Sequence, residues 1–359
     1  MNNREEICKI NTQDNKKTEE EFLRSLWREC FEDPAEYEDF YFENVYRQNK
    51  VYEIPEKGML HLNPYRCMVQ GKEVLLHYIV GVATKESARR QGIMRRLLGT
   101  ALEDMYREKE PFTYLMPADV RYYQPFGFVS ISKKQENARC FEESGLETEK
   151  IRFVGYEEFL DAYDKKRQQE ILQFINQMLS KRYRIFAKHD KAYFDLLWEE
   201  KRCQGGEVVF CFDAEGKEIQ GFFAYGMDKE KMHVEQYLLE DEEIALYGKC
   251  KNAVPVLHHF PFMVRIVQVE VFLSLFAKSF YEFAVEGKRL RVTDAILAKN
   301  NGIYTFQFVE NQIVVKKQQI NEWDTGTMWD ETMTVEELAE FIFCGEHAKE
   351  NQVFFAEVV

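Results

Sequence analysis

Residues 75–105 read LLHYIVGVATKESARRQGIMRRLLGTALEDM. The first ten, 75–84, are a nearly continuous apolar and β-branched run, the pattern of a central strand buried on both faces. From Ile93 onward apolar residues recur at Met94, Leu97, Leu98, Ala101, Leu102 and Met105. Steps of one, three and four gather them into one stripe of an α-helix, with Arg95, Arg96, Glu103, Asp104 and Arg107 on the other face. A second strand is predicted over 112–116, then a short turn or helix, then Phe126-Gly127-Phe128. Strand, glycine turn, helix and strand in that order make one βαβ unit.

Around this unit the chain runs to 359 residues, which predicts two or three domains. Apolar residues at 45% and charged residues at 31% suit a globular chain with a sizeable core and exclude a disordered one. There is no apolar run of roughly 18 residues, and the opening MNNREEICKI has no apolar signal core, so the expectation is a cytoplasmic protein without membrane association. Acidic residues outnumber basic ones, 62 to 48, for a net charge of −14. Such a surface repels nucleic acid and favours a cationic or neutral partner.

The eight cysteines (8, 30, 67, 140, 203, 211, 250 and 344) share no ligand spacing, and of the histidines only His258 and His259 are adjacent. Neither a metal site nor a disulfide framework is expected. The polar arm 1–21 leads into a helix predicted over 22–31. Breaks in periodicity near 133–150 and 284–291 divide the chain into about 1–135, 136–265 and 266–359.

Between the first strand and the helix stands Arg89-Arg90-Gln91-Gly92-Ile93-Met94. A helix N-terminus presents unpaired amides and a partial positive charge, so it attracts anions. Arg89 and Arg90 add full charges, and Gly92 lets a phosphate approach the backbone. Taken alone, the same residues also describe a solvated turn; their place between a buried strand and a long amphipathic helix favours the anion site.

The segment V-A-T-x4-R-R-Q-G-I-M-x2-L-L resembles motif A of the GNAT N-acetyltransferases, whose Arg/Gln-x-x-Gly-x-Gly/Ala loop holds the pyrophosphate of acetyl-CoA. Met94 departs from the pattern, standing where the family has a small residue. R-R-x-G followed by two aliphatics is similar to the version in the enhanced intracellular survival (Eis) family. Tyr123-Gln124-Pro125-Phe126-Gly127-Phe128 is similar to that family's Tyr-x-x-Phe-Gly-Phe/Tyr segment. Met263-Val264-Arg265-Ile266-Val267, Val292-Thr293-Asp294 and Asn300-Asn301-Gly302-Ile303-Tyr304 resemble the start and first hairpin of its C-terminal sterol-carrier-like domain.

The resemblance implies a mixed α+β / α/β architecture. It has an N-terminal GNAT domain (1–135), a second GNAT-like domain lacking motif A (136–265) and a sterol-carrier-like α+β domain (266–359). Backbone groups of Val82, Ala83 and Thr84 would align the pantetheine of acetyl-CoA. The loop and helix start at Arg89, Arg90, Gln91, Gly92, Ile93, Met94 and Arg95 would hold its pyrophosphate, and Ala118 and Asp119 occupy the place of a further cofactor contact. Asp119 also reads as a helix N-cap before Val120.

Tyr123 would be the general acid, since a phenol with pKa ~10 is protonated at neutral pH. Tyr122 is its rival, and a plain core aromatic is the alternative in a chain with 19 tyrosines. The base the family implies is the chain's own C-terminal carboxylate, here on Val359, with Glu357 the competing group.

The expected activity is acetyl transfer from acetyl-CoA to an amine of a cationic small molecule, aminoglycoside- or polyamine-like, by a homo-oligomer without a metal. A peptide or protein amine acceptor, or a non-catalytic protein that binds an apolar ligand in its third domain, are the alternatives.

Overall fold

The computed structural model describes residues 6–10, 12, 17–131, 139–140, 151–229, 231–239, 254–257, 261–310, 312–318, 329–344 and 352–355. The first third contains β1 (Cys8–Ile10), α1 (Lys17–Cys30), α2 (Ala35–Phe40), β2 (Lys50–Ile54), β3 (Gly58–Val69), β4 (Lys72–Thr84), α3 (Ile93–Arg107), β5 (Phe112–Leu115), α4 (Val120–Tyr123) and β6 (Val129–Ser130). The middle contains β7 (Arg139–Cys140), β8 (Ile151–Gly155), α5 (Tyr156–Ala162), α6 (Lys165–Arg182), β9 (Ile185–Ala187), α7 (Lys191–Cys203), β10 (Glu207–Asp213), β11 (Ile219–Asp228), β12 (Lys231–Leu239) and β13 (Val254–Leu257). The last part contains β14 (Met263–Ile266), α8 (Val269–Leu275), α9 (Tyr281–Glu286), β15 (Arg289–Thr293), β16 (Gly302–Val309), β17 (Gln312–Gln318), β18 (Glu331–Thr334), α10 (Val335–Phe343) and β19 (Val353–Phe354).

This is a mixed α+β protein built on three sheets. The expected strand over 75–84 is β4, and the expected amphipathic helix is α3, whose Ile93, Leu97, Leu98, Ala101, Leu102 and Met105 are all buried against the sheet. The helix predicted over 22–31 is α1, which together with α2 and the π turn that follows it (Tyr41–Val45) covers the opposite face of that sheet through Trp27, Tyr41 and Phe42.

The first sheet runs β1-β2-β3-β4-β5-β14-β6, with β9 pairing the outer half of β3 and β19 pairing β9. It draws strands from all three stretches of the chain. Met263–Ile266, at the expected boundary between the second and third stretches and likened by the resemblance to the start of the C-terminal domain, inserts between β5 and β6 as β14. The second sheet, β7-β13-β12-β11-β10-β8, packs Val208, Phe210 and Phe222 against α5, α6 and α7. The third, β17-β16-β15-β18, shares a phenylalanine-rich core with α8, α9 and α10, and the last of these helices starts in a capping box between Thr334 and Glu337.

Two features of the first sheet shape a cleft in it. The parallel pair β4 and β5 is joined at one position, Tyr78 opposite Tyr114. On the other side of β4, Val80 stands opposite His61 while Ala83 stands opposite Met59, so β4 carries one residue more than β3 across that interval. This β-bulge is centred on Gly81, whose φ of +60° suits only glycine. A Cβ there would also lie 3.1 Å from the Trp27 ring and 3.3 Å from His61.

His61 is buried among Trp27, Tyr41, Phe42 and Tyr46, with Nδ1 2.7 Å from the Tyr41 hydroxyl. Burial lowers its pKa from 6.5 to about 3, so the folded chain keeps a neutral ring where the unfolded chain takes up a proton. That stability is whole above pH 6.5 and is lost as the pH falls, by about 1.4 kcal/mol per pH unit for one such group. His61→Gln is expected to flatten the decline in melting temperature between about pH 6.5 and about pH 4.5, measured by scanning calorimetry against the wild type.

Candidate active site

β4 ends at Thr84, and the chain passes through a short 3₁₀ turn into Arg89-Arg90-Gln91-Gly92 before α3 begins. Arg90 and Gly92 both lie in the left-handed region, at φ +64° and +76°. Alternation of that kind turns successive amides toward one side and forms an anion-binding concavity. Gly92 is the N-cap of α3 and no side chain caps the helix, so the amides of its first turn are left for an outside acceptor. The first intrahelical bond runs from Arg96 N to Gly92 O at 3.1 Å.

A Cβ on Gly92 would meet nothing within 4 Å, so the ground in front of the loop is open. Arg89 and Arg90 are exposed at its rim, and Arg89 Nε donates to Thr84 O at 3.3 Å, tying the loop back to the strand end. Met94 packs its side chain onto the main core, so it does not crowd the concavity. A pyrophosphate fits these residues.

Beyond Tyr78, no strand among the described residues pairs with the β5-facing edge of β4. The backbone of Val82, Ala83 and Thr84 therefore borders the cleft left where the β4–β5 pairing stops, towards the carboxyl ends of two parallel strands, the ordinary place for a ligand in such a sheet. An extended arm such as pantetheine fits along an unpaired strand edge, where amide and carbonyl groups still need partners.

The segment after β5 faces the same loop. Asp119 caps α4, accepting from Arg121 N at 2.9 Å, and the Arg121 guanidinium holds its carboxyl below the usual range, so the side chain is committed to the cap. Ala118 beside it is exposed. Arg95, in the first turn of α3, lies over the Phe126 ring at 5.3 Å and so joins the two motifs. Tyr123 is 8% exposed and packs edge-on to Phe128 at 5.9 Å. Burial alone pushes its pKa up to about 12. Tyr122, its neighbour, is 58% exposed.

On the α1–α2 side of the sheet lie acidic groups that no motif connects. Asp33 accepts from Trp27 Nε1 at 2.9 Å and is raised above the usual carboxyl range by burial. Glu200 on α7 and Glu235 on β12 flank the buried Lys201, 2.7 Å from Glu200 and in contact with Glu235. Burial also raises Glu200, while for Lys201 the two carboxylates outweigh burial and raise its pKa. All three carboxylates act on the Tyr37 hydroxyl, whose pKa burial and then these charges lift well above its ordinary value. These residues sit 33, 200 and 235 positions along the chain, and no spacing signals that they meet.

The tail also arrives here. Val353 and Phe354 pair with Ile185 and Phe186 of β9, and Phe355 stacks on Tyr114 with ring centroids 4.0 Å apart and planes 10° apart. Val359, Glu357, His258 and His259 lie outside the described residues. Among the described residues no three His, Cys, Asp or Glu side chains are grouped to hold a metal, and no helix is long and apolar enough to cross a membrane.

A family model described as an acetyltransferase (GNAT) domain matches residues 12–131. No curated protein matches the chain. Among solved structures, a conserved protein of unknown function from Enterococcus faecalis V583, titled a probable N-acyltransferase, is similar with a TM-score of 0.65. The two are 14% identical, over 94% of this chain and 89% of that one. A GCN5-related N-acetyltransferase from Anabaena variabilis gives 0.62 at 13% identity over 98% of both chains. Eis1 from Mycobacterium abscessus gives 0.56 at 12% identity over 93% and 88%. At these identities the structures speak for the fold. The matched segment is a GNAT acetyltransferase domain, and the protein that carries it is an acetyltransferase.

If the helix mouth holds the pyrophosphate, Arg89→Ala with Arg90→Ala, or Gly92→Val, is expected to weaken acetyl-CoA binding by about 1–3 kcal/mol, the range for charge-assisted hydrogen bonds. Isothermal titration calorimetry measures it, and unchanged affinity in both variants would remove the loop from the site.

Proposed function

We propose that this protein transfers the acetyl group of acetyl-CoA to an amine of a cationic small molecule, polyamine- or aminoglycoside-like. The observation that carries the reading is the cleft where β4 and β5 part, with an uncapped helix mouth at one end and a buried tyrosine turn beside it. Acetyl-CoA supplies the acetyl group as a thioester. The amides of the α3 start and the guanidinium groups of Arg89 and Arg90 hold its pyrophosphate, and the free edge of Val82–Ala83–Thr84 aligns its pantetheine. In the transfer the amine nitrogen bonds to the carbonyl carbon as the carbon–sulfur bond breaks, one proton leaves the amine, and one is delivered to the departing sulfur.

Tyr123 supplies the second proton. With its pKa near 12 the phenol stays protonated through the physiological range, and a buried donor makes a stronger hydrogen bond than a solvated one. The acceptor's positive charge is met by Asp33, Glu200 and Glu235, which together exceed the single charge of Lys201. That local excess supports a cationic acceptor more directly than the net charge of the whole chain does.

The base is the α-carboxylate of Val359. Support for it is the docking of the tail, which reaches Phe355 on the acceptor face of the sheet, on Tyr114. Four more residues span at most ~14 Å when extended, enough to return a terminus to the cleft. Glu357 is the competing base. The third stretch is read as a sterol-carrier-like unit that acts as scaffold, since Phe272, Phe276, Phe280, Phe283 and Phe306 fill its core. The assembly is a homo-oligomer, which light scattering checks.

Tyr123→Phe is expected to lower turnover on the order of 10²–10⁴-fold with acetyl-CoA affinity nearly intact, because the hydroxyl acts on the departing sulfur. Thiol release with acetyl-CoA and spermidine measures it. Loss in Tyr122→Phe and not in Tyr123→Phe would move the acid to the neighbouring residue.

For the base, appending a C-terminal tag is expected to abolish acetylation, scarless removal to restore it, and Val359→Leu to leave it active, since only the position of the carboxylate counts. Equal turnover with and without the tag would transfer the role to a side chain, with Glu357 tested first.

A further inference from the structure

The pairing of β4 with β5 stops at Tyr78 and Tyr114, and four aromatic rings gather at that point. The Tyr78 and Tyr114 centroids are 5.2 Å apart, and Phe262 lies 6.4 Å from the first and 6.3 Å from the second. Phe355 stacks on Tyr114 at 4.0 Å and stands 5.8 Å from Phe262. Tyr78, Tyr114 and Phe262 are buried and Phe355 is half-buried. Tyr78 is opposite Asn63 and Val80 opposite His61, so Tyr78 shares the sheet face on which α1 and α2 lie. The cluster thus fills the apex of the cleft on the acceptor side, just inward of the bulge at Gly81.

The two inner rings belong to β4 and β5 themselves. The other two come from far along the chain: Phe262 immediately precedes β14, and Phe355 immediately follows β19. Phe355 is the least anchored of the four, held by a two-residue strand and its ring contacts.

We propose that this aromatic cluster closes the inner end of the cleft and sets the length of the acyl group, admitting acetyl and rejecting butyryl and longer chains, with Phe355 the deciding ring. The inference rests on the reading of the β4–β5 cleft as the acyl-CoA groove. A thioester reaching inward along the edge of β4 from Thr84 has its acyl carbons nearest the apex. There the cleft narrows from two separated strands to a hydrogen-bonded pair roughly 4.8 Å apart, and rings in van der Waals contact take the remaining space. Each methylene beyond acetyl must displace a ring or leave the groove. A misfit of one methylene changes discrimination by about 10–200-fold. Removing one phenyl ring frees the volume of several methylenes, and the ring most easily removed without opening the core is the one on the tail.

The test measures binding of acetyl-CoA, butyryl-CoA and hexanoyl-CoA by calorimetry, without acceptor, for the full chain, Phe355→Ala and Phe355→Leu. Turnover with spermidine is followed in parallel as the ratio of longer acyl donors to acetyl-CoA. The wild type is expected to favour acetyl-CoA over butyryl-CoA by about tenfold or more in affinity. Phe355→Ala is expected to bring that ratio near one while acetyl-CoA affinity stays close to wild type, and Phe355→Leu to fall between. A general loosening of the fold would weaken all donors alike, so the ratio isolates the ring.

Acetyl-CoA binding with a ratio unchanged in Phe355→Ala would overturn the closure alone. Wild-type binding of butyryl-CoA as tight as that of acetyl-CoA would do the same. No binding of any acyl-CoA to the wild type would overturn both the closure and the groove on which it rests.

Discussion

Arg265 and Asp294 form an ion pair at almost zero exposure, 0% and 1%, and the rest of the assembly is built around it. Taking two charges out of water costs several kcal/mol each, so such a pair survives only when its remaining donors and acceptors are satisfied. Here they are. Arg265 Nη2 reaches both oxygens of Asp294 at 2.8 and 3.0 Å, Nε donates to Phe126 O at 2.7 Å, and Nη1 to Ile266 O. Asp294 also accepts from the amides of Ile296 and Leu297 and from Asn300 Nδ2. Burial draws the Arg265 pKa down and the Asp294 carboxylate opposes it. Because Phe126 belongs to the turn that follows Tyr123, one guanidinium fastens the third stretch of the chain to the tyrosine turn of the first. Gly127 in the same turn sits at φ +82°, and a Cβ there would lie 3.1 Å from Glu336 of α10.

The same interlocking explains why the candidate site is composite. A sheet assembled only from the first third would leave the second edge of β5 and the outer half of β3 unpaired. The chain instead returns twice, with β14 against β5 and β9 against β3, and then a third time with β19 on β9. Two of these returns bring a ring to the point where β4 and β5 part: Phe262 ahead of β14 and Phe355 beyond β19. Closing sheet edges and completing the site are here the same act of folding.

Much of the strand–loop–helix part of the candidate site was legible in the amino-acid order. A strand with apolar residues on both faces and a helix with one apolar stripe leave few folds open, and β4 and α3 follow that pattern nearly residue by residue. Gly92 reads as special because it stands between a buried strand and an amphipathic helix, where a glycine lets a phosphate approach the backbone; the structure adds a positive φ at an uncapped helix start. The cap at Asp119 is equally local, a carboxylate two residues before the amide it accepts from. Met94 departs from the expected small residue without consequence, because its position on α3 turns the side chain into the core.

Period, caps and the order of elements depend on neighbours along the chain, and these could be read from residue order alone. The carboxylates around Lys201, the ring of Phe355 on Tyr114 and the strand β14 inside the first sheet exist only in three dimensions. Most of these contacts join residues dozens to hundreds of positions apart, and they are selected by burial and by the need to pair open strand edges and buried charges. Those needs arise only once the surrounding elements are in place. A carboxylate at 200 looks like any solvated glutamate in a chain with 62 acidic residues until the fold sets it against Lys201 and Glu235.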